Sequence, residues 1–172
     1  MKQVVLLGTA PSSMMLAPFG NKEWDIWGCS PGTAGAPRID RRYEMHRWEP
    51  GKEWFSEAYV KLLKEFEGPV KMSAQVDDVP GCEVVDWMAH VETFGPYFFT
   101  STLAWMMADA ITEGYERIAL YGVDMAATSE YHDQRMGIQY FAMLAGSMGI
   151  EVGVPPESDC LRPAPLYGVS EQ

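Results

Sequence analysis

Residues 114–135 read GYERIALYGVDMAATSEYHDQR, and this stretch decides the fold class. The strand predicted over 117–121 is an apolar run that stops at the tight turn Gly122-Val123-Asp124. Reactive side chains follow directly: Glu130, Tyr131, His132, Asp133 and Arg135. In an open α/β sheet, ligands bind just beyond the carboxyl ends of the strands. The stretch therefore predicts a strand whose tip forms one wall of a ligand site.

Outward from this strand, short apolar runs alternate with helical patterns. The apolar runs predict strands over residues 4–7, 24–27, 43–46, 70–72, 117–121 and 151–154. Helical spacing predicts helices over 52–66, 100–113 and 130–148, and a short one over 14–17 capped by Ser12 or Ser13. Residues 73–99 are predicted to be partly helical. The alternation indicates an α/β, Rossmann-like fold with a mostly parallel sheet and helices on both faces.

Length, charge and residue composition argue against several classes of protein. The 172 residues predict one domain, with 163–172 as a peripheral tail. A net charge of −11 argues against non-specific nucleic-acid binding, which needs clustered lysine and arginine. No charge-free apolar run is long enough to span a bilayer, and the N-terminus lacks a full signal-peptide core. The three cysteines have no metal-binding spacing, so reduced thiols in a cytoplasmic protein are expected.

The turn after the first strand is the first candidate ligand site. It reads Gly8-Thr9-Ala10-Pro11-Ser12-Ser13, and a small-residue turn between a strand and a helix can present backbone amides to a phosphate. The dinucleotide fingerprint G-x-G-x-x-G and a Walker lysine are both absent. An ordinary tight strand–helix turn explains the residues equally well.

The tips of the second and third strands carry two further candidates. Ser30 is predicted to be a ligand-binding hydroxyl, whereas Cys29 has no neighbouring base and is expected to be a buried, inert thiol. Strand alternation would point Glu44 and His46 to the same side. They would then form an acid–base pair or bind a ribose and a base, but a purely structural pair remains open.

Two helix starts complete the set. Thr100 and Ser101 could offer hydroxyls and free amides to an anion, although a simple N-cap accounts for them equally well. After the strand tip at Asp124, His132 fits a general base and Arg135 fits an anion clamp, unless this is a solvated helical turn. No metal site is predicted from the histidine and cysteine spacing, and Mg²⁺ on Asp124 with a phosphorylated ligand stays open.

In chain order these motifs resemble a known family. Gly-x-x-Pro-Ser after the first strand, a Thr-Ser helix start and Gly-Tyr-x-x-Ile-x-Leu-x-Gly-Val-Asp-Met are similar to the bacterial lipo-oligosaccharide sialyltransferases, which use a CMP-sugar donor. The chain also resembles the related Rossmann-like pterin diphosphokinases of archaea. The similarity spans about residues 3–161. It is most specific at 8–12, 100–101 and 122–124.

The resemblance implies a nucleotide held across the strand tips. Its phosphates would lie near 8–12 and 29–30, and its ribose and base near 100–102 and 122–125. His132 is the counterpart of the family's general base, and Tyr131 would support a leaving phosphate. The chain departs from the family at Thr9 and Ser30, where the sialyltransferases carry asparagine. It also lacks the long lid-forming insertion, and its small, acidic character would suit a phage or mobile-element protein.

The sequence therefore predicts a nucleotide-binding transferase that moves a glycosyl or phosphoryl-type group. The predicted catalytic residues are His132, Tyr131 and Asp124. The predicted nucleotide-binding residues are Gly8, Thr9, Ala10, Pro11, Ser12, Ser30, Thr100, Ser101, Gly122 and Arg135. A non-catalytic nucleotide-binding module is one alternative. The other is an interaction protein with a vestigial site, for which the aromatic run 94–99 would form a partner surface and a homo-oligomer would be expected.

Overall fold

The computed structural model describes residues 1–124, 129–163 and 166, without the side chains of 129–131. Within this part of the chain there are seven strands: β1 Gln3–Leu7, β2 Trp24–Cys29, β3 Arg41–Glu44, β4 Val70–Met72, β5 Cys82–Val84, β6 Arg117–Tyr121 and β7 Glu151–Gly153. The four α-helices of the same part are α1 Glu57–Glu65, α2 Trp87–Phe94, α3 Thr102–Thr112 and α4 Ser129–Ser147. None of these helices is long and apolar enough to cross a membrane.

The strands form one parallel sheet in the order β5-β4-β3-β2-β1-β6-β7. The chain starts in the middle at β1, runs outward to β5, and returns to β6 on the other side of β1. The direction of strand addition therefore reverses between β1 and β6, which makes their carboxyl ends the topological switch point. The predicted Rossmann-like fold class is confirmed.

Helices cover both faces of the sheet, as predicted. On one face, α3 and α4 pack over β1 and β6, and their buried residues Met106 and Phe141 join the core around Leu6 and Ile118. On the other face, Tyr59 and Leu63 of α1 pack against Val70 of β4. Because α3 and α4 run antiparallel to the strands, their N-termini lie at the carboxyl edge of the sheet.

Several element boundaries differ from the sequence prediction. β6 has the predicted bounds, but α1 begins at Glu57 rather than near residue 52, because the Ser56 hydroxyl caps the helix by accepting from the Tyr59 amide. The third strand ends at Glu44, so His46 lies beyond it. β5 was not predicted, since Cys82 is only partly buried, Glu83 and Val84 are exposed, and the three residues give no apolar run.

The predicted short helix after β1 is a 3-10 turn over Met14–Leu16, and neither candidate serine caps it. The Ser13 hydroxyl instead accepts a hydrogen bond from the Gly122 amide at 2.9 Å. Ser13 thus joins the turn after β1 to the turn after β6 instead of capping its own turn. Capping preferences, which consider only neighbouring residues in the sequence, do not predict this contact.

Two glycines allow the tips of β1 and β6 to touch. A Cβ on Gly122 would lie 2.5 Å from the Gly8 carbonyl oxygen, and one on Gly8 would be as close to the Gly122 carbonyl oxygen. Gly122 also has a φ of +65°, a conformation that side chains disfavour. The amides of Gly8 and Ala10 donate to the carbonyls of Tyr121 and Gly122, both at 2.8 Å. The two turns are therefore joined through the backbone.

A buried polar network ties β3 to two helices. The Tyr43 hydroxyl donates to Oδ2 of Asp109 at 2.7 Å, and Nε2 of His90 lies 2.6 Å from Oδ1 of the same carboxylate. Burial raises the pKa of Asp109, but the hydrogen bonds from His90 and Tyr43 outweigh it and hold that pKa below its usual value. The network links α2, α3 and β3 in the core.

The close contact between Gly8 and Gly122 predicts that a side chain at Gly8 destabilises the fold, and Gly20 offers a control. Gly8→Ala places a methyl group against a backbone carbonyl, and overpacking of this kind costs about 1–3 kcal/mol, which lowers the melting temperature by about 2–12 °C. A Cβ on Gly20 would meet no atom within 4 Å, so Gly20→Ala should leave the melting temperature nearly unchanged. Differential scanning calorimetry of the two variants tests this, and equal melting temperatures would contradict the backbone contact.

Acid should remove the contribution of Asp109 to stability. A carboxyl group with a lowered pKa in the folded protein stabilises it above the ordinary pKa of aspartate, and this stabilisation is lost as pH falls through the lowered value. We expect the difference in free energy of unfolding between the wild type and Asp109→Asn to shrink between about pH 5 and pH 2. Urea denaturation at several pH values measures it, and a constant difference would refute the assignment.

Candidate functional site

The turns after β1 and β6 meet at the switch point. The Ser12 hydroxyl donates to Oδ2 of Asp124 at 2.5 Å, which joins the two turns through side chains as well as backbone. The other oxygen of this carboxylate, Oδ1, is buried and has no hydrogen-bond partner among the residues that the structure describes. A buried carboxylate oxygen without a donor is unfavourable, which sets Asp124 apart from a carboxylate whose two oxygens are both hydrogen-bonded.

The turn after β2 lies beside the turn after β1. A Cβ on Gly32 would be 2.5 Å from Cγ2 of Thr9 and 3.8 Å from Oγ of Ser30, so these two hydroxyl residues are neighbours. Ser30 has φ 66° and ψ 162°, a strained backbone conformation for a residue with a side chain. Within the described part of the chain, neither hydroxyl has a hydrogen-bond partner. Two of the predicted ligand-binding residues are thus side by side.

Thr100 and Ser101 precede α3 at the same edge of the sheet, but their side chains are already engaged. The Thr100 hydroxyl donates to the Asp133 carbonyl at 2.8 Å, and a Cβ on Gly137 would clash with this threonine. The Ser101 hydroxyl accepts from the Ala104 amide at 3.3 Å and so caps α3. Both hydroxyls have a structural use, and what they add to ligand binding remains a prediction.

The first turns of α4 carry the predicted base. His132 is exposed and makes no hydrogen bond to a described residue. Arg135, the predicted anion clamp, donates from Nη2 to the Asp159 carbonyl at 2.7 Å and thereby holds the loop after β7. The side chains of Glu130 and Tyr131 lie outside the described residues. The loop after β7 also reaches the switch point, where the buried Ser158 hydroxyl donates to the Val123 carbonyl at 2.5 Å.

Ser158 was missed by the sequence reasoning. Its signal is topological: in a parallel sheet, the loop after the last strand returns to the edge where the other strand tips end. A serine in that loop is a candidate for contact with the site, although its partner cannot be read from the sequence.

Glu44 and His46 contact each other at the end of β3, but not through strand alternation, since the strand ends at Glu44 and the chain turns back at His46. Oε1 of Glu44 accepts from the His46 amide at 2.8 Å and is 2.6 Å from Nδ1 of the same residue. Oε2 accepts from the Trp54 indole at 2.8 Å and from the Tyr59 hydroxyl at 2.9 Å. Trp54 and Tyr59 were not predicted as partners, because they come from the segment before α1 and from α1 itself.

The remaining predictions concern the Cys29 thiol and metal binding. Cys29 is buried, and desolvation, followed by the nearby Glu44 charge, raises the pKa of its thiol to about 12. The thiol is therefore protonated and unreactive near neutral pH, as expected. Among the residues that the structure describes, no group of three or more histidine, cysteine, aspartate or glutamate residues is arranged to hold a metal ion.

Comparison with known proteins places the fold. No protein-family model and no curated protein matches the chain. In solved structures, the fold is similar to that of the sialyltransferase CstII from Campylobacter jejuni. Its complex with cytidine-5'-monophosphate has a TM-score of 0.57 at 16% identity, covering 92% of this chain and 81% of that one.

Two further CstII complexes give the same result. The complex with CMP-3FNeuAc has a TM-score of 0.57 at 15% identity, covering 90% of this chain and 81% of that one. The complex with CMP and a trisaccharide acceptor has a TM-score of 0.56 at 15% identity, covering 89% of this chain and 80% of that one. The sialyltransferase resemblance is confirmed at the level of the fold, whereas the pterin diphosphokinase resemblance gains no support from these structures.

Proposed function

We propose that this chain binds a nucleotide sugar at the switch point between β1 and β6 and transfers its glycosyl group to an acceptor hydroxyl. The observation that carries the proposal is the Asp124 carboxylate. Ser12 holds one of its oxygens, while the other is buried without a partner in the described part of the chain. Ligands of open α/β sheets bind at this position in the fold.

The chemistry of the crevice favours a nucleotide that lies across it. Asp124 would accept a hydrogen bond from a ribose hydroxyl, which is a donor that its free oxygen lacks. A phosphate would avoid this carboxylate and lie toward Thr9 and Ser30, whose hydroxyls are unoccupied. The CstII structures support a nucleotide as the ligand, since they share the fold and were solved with CMP or CMP-3FNeuAc.

The cations at the carboxyl edge bear on the size of the phosphate group, and they include Arg135 after β6 and Lys52 beside the tip of β2. Arg135 uses one of its nitrogens on the Asp159 carbonyl, and the chain carries a net charge of −11. A triphosphate would need several cations or a bound Mg²⁺, whereas a single phosphate can be held by hydroxyls and amides. We therefore favour a nucleoside monophosphate sugar as the donor.

In the proposed reaction, His132 is the general base, the role of its counterpart in the family that the sequence resembles. The acceptor hydroxyl gives its proton to the imidazole, and its oxygen forms the new bond to the anomeric carbon of the sugar. The bond from that carbon to the phosphate oxygen breaks, and its electron pair leaves with the nucleoside monophosphate. Such a step depends on orientation and on a base near neutral pH.

Nucleotide binding can be measured directly. A ligand that binds the folded protein raises its melting temperature, so we expect CMP or a CMP-sugar to raise it more than adenine or uridine nucleotides, tested with and without Mg²⁺. Ser12→Ala and Asp124→Asn should each weaken binding by about 10- to 100-fold in calorimetric titration. Ser147→Ala, at the far end of α4, is the matched control and should bind normally.

No thermal shift at millimolar ligand would reject the proposed nucleotide site. Tight binding without turnover of any nucleotide sugar would reject the transferase part and leave a binding module.

A substitution of His132 should affect turnover and nucleotide affinity differently. Loss of a general base costs about 10²- to 10⁴-fold in rate, so His132→Ala should lower turnover by that factor. Affinity for the nucleotide should stay nearly intact, because the base acts on the acceptor. Steady-state kinetics together with calorimetric titration of the variant gives both values. Unchanged turnover would exclude His132 as the base.

A further inference from the structure

The carboxylate of Glu44 holds two aromatic side chains in fixed positions at the carboxyl end of β3. Only 1% of Glu44 is exposed, and its two oxygens receive donors from the His46 imidazole, the Trp54 indole and the Tyr59 hydroxyl. Arg42, two residues earlier on the same face of β3, supplies a buried positive charge nearby. The carboxylate is therefore fully satisfied, and its partners have little freedom to move.

This arrangement fixes the tautomer of His46. An ionised carboxylate only accepts hydrogen bonds, so Nδ1 of the imidazole must carry the hydrogen. In the neutral ring Nε2 then has a lone pair, and it has no partner among the described residues. The His46 side chain is 51% exposed. A ligand can therefore donate a hydrogen bond to Nε2.

The indole of Trp54 lies against the imidazole, with ring centroids 4.2 Å apart, and remains 39% exposed. It borders an open depression of about 640 Å³, within the range of small-molecule sites. The depression is also lined by Pro31, which follows Ser30 at the tip of β2, and by the polar residues Glu49, Lys52, Glu53 and Ser56. It thus continues from the side of the crevice where the phosphate is proposed to lie.

A second histidine–carboxylate pair in the same protein shows what a purely structural version looks like. His90 contacts Asp109 at the same 2.6 Å, but His90 is only 4% exposed and sits in the core. The Glu44 cluster is different because its carboxylate is buried while its two rings face solvent. Rigid, exposed aromatic rings beside polar groups are a feature of ligand sites rather than of cores.

We infer that Glu44, His46 and Trp54 form a saccharide-binding platform. The apolar face of a sugar ring would lie on the indole, and a sugar hydroxyl would donate to Nε2 of His46. Lys52 and Ser56 would bind further hydroxyls at the rim. The inference rests on the proposed function and names its substrate class as a hydroxyl-rich sugar. That sugar is either the free acceptor or the glycosyl part of the nucleotide donor.

Saccharide titration of the nucleotide-free protein, followed by NMR, tests the platform without turnover. A panel of neutral and acidic mono- and disaccharides should shift the Trp54 indole and His46 imidazole signals saturably if the free acceptor binds here. If only the donor sugar binds, the signals should shift with a nucleotide sugar and not with the nucleotide alone. Trp54→Ala should lower the affinity at least 10-fold, whereas Trp87→Ala, a 47% exposed tryptophan at the start of α2, should not.

Glu44→Gln tests the tautomer. An amide nitrogen in place of Oε1 could donate to Nδ1 but would face the His46 backbone N–H, and one in place of Oε2 would face the Trp54 and Tyr59 donors, so either orientation disturbs the cluster. ¹⁵N spectra show whether the imidazole hydrogen moves to Nε2. Saccharide affinity should fall about 10-fold while CMP affinity stays unchanged. Should this variant fail to fold, His46→Phe, which keeps an aromatic ring but has no Nε2, takes its place and should lower saccharide affinity to the same extent.

The outcomes separate the two proposals. Nucleotide binding with no shift of Trp54 by any sugar or nucleotide sugar overturns the platform alone. Sugar binding at Trp54 without nucleotide binding overturns the proposed transferase and retains the platform. Normal sugar affinity in Glu44→Gln with a changed tautomer would overturn the role of His46.

Discussion

The site depends on the direct contact between the backbones of Gly8 and Gly122. Neither position has space for a Cβ, and hydrogen bonds from Gly8 and Ala10 to the β6 turn close the contact. Because the two turns meet without side chains between them, Ser12 reaches Asp124 across the switch point. A larger residue at either glycine would separate the strand tips, and the carboxylate would lose its position. The same constraint therefore shapes both the fold and the crevice.

The two edges of the sheet use charge differently. At the amino edge, Arg117 pairs with Glu151 and Arg41 pairs with Glu113, so the charges of these side chains satisfy one another. At the carboxyl edge, one oxygen of Asp124 lacks a partner within the described chain. At the same edge the Glu44 carboxylate has donors on both oxygens, so the two carboxylates beyond the strand tips differ in how far they are satisfied.

The sequence predicted the fold well because its signals are local. The apolar run before Gly122 gave the bounds of β6. Alternation was applied to Glu44 and His46, but β3 ends at Glu44, and the pair meets instead through a turn in which the His46 amide donates to the carboxylate. The partners of these residues were not predictable, because Trp54 lies in an irregular segment that only the tertiary fold brings to β3. Likewise, the hydroxyl of Ser13 was expected in a cap but bonds to β6, since a strand tip competes for it. Periodicity reports which residues are buried, whereas contacts between loops depend on the complete topology.

The two histidine–carboxylate pairs share a buried carboxylate but differ in the exposure of the imidazole. Asp109 and His90 are enclosed by α2 and α3, so a ligand cannot reach them and their hydrogen bonds serve packing. Glu44 is equally buried, yet the rings that it holds lie at the surface beside the tip of β2. A carboxylate inside the protein can thus fix side chains outside it without presenting its own charge to a ligand.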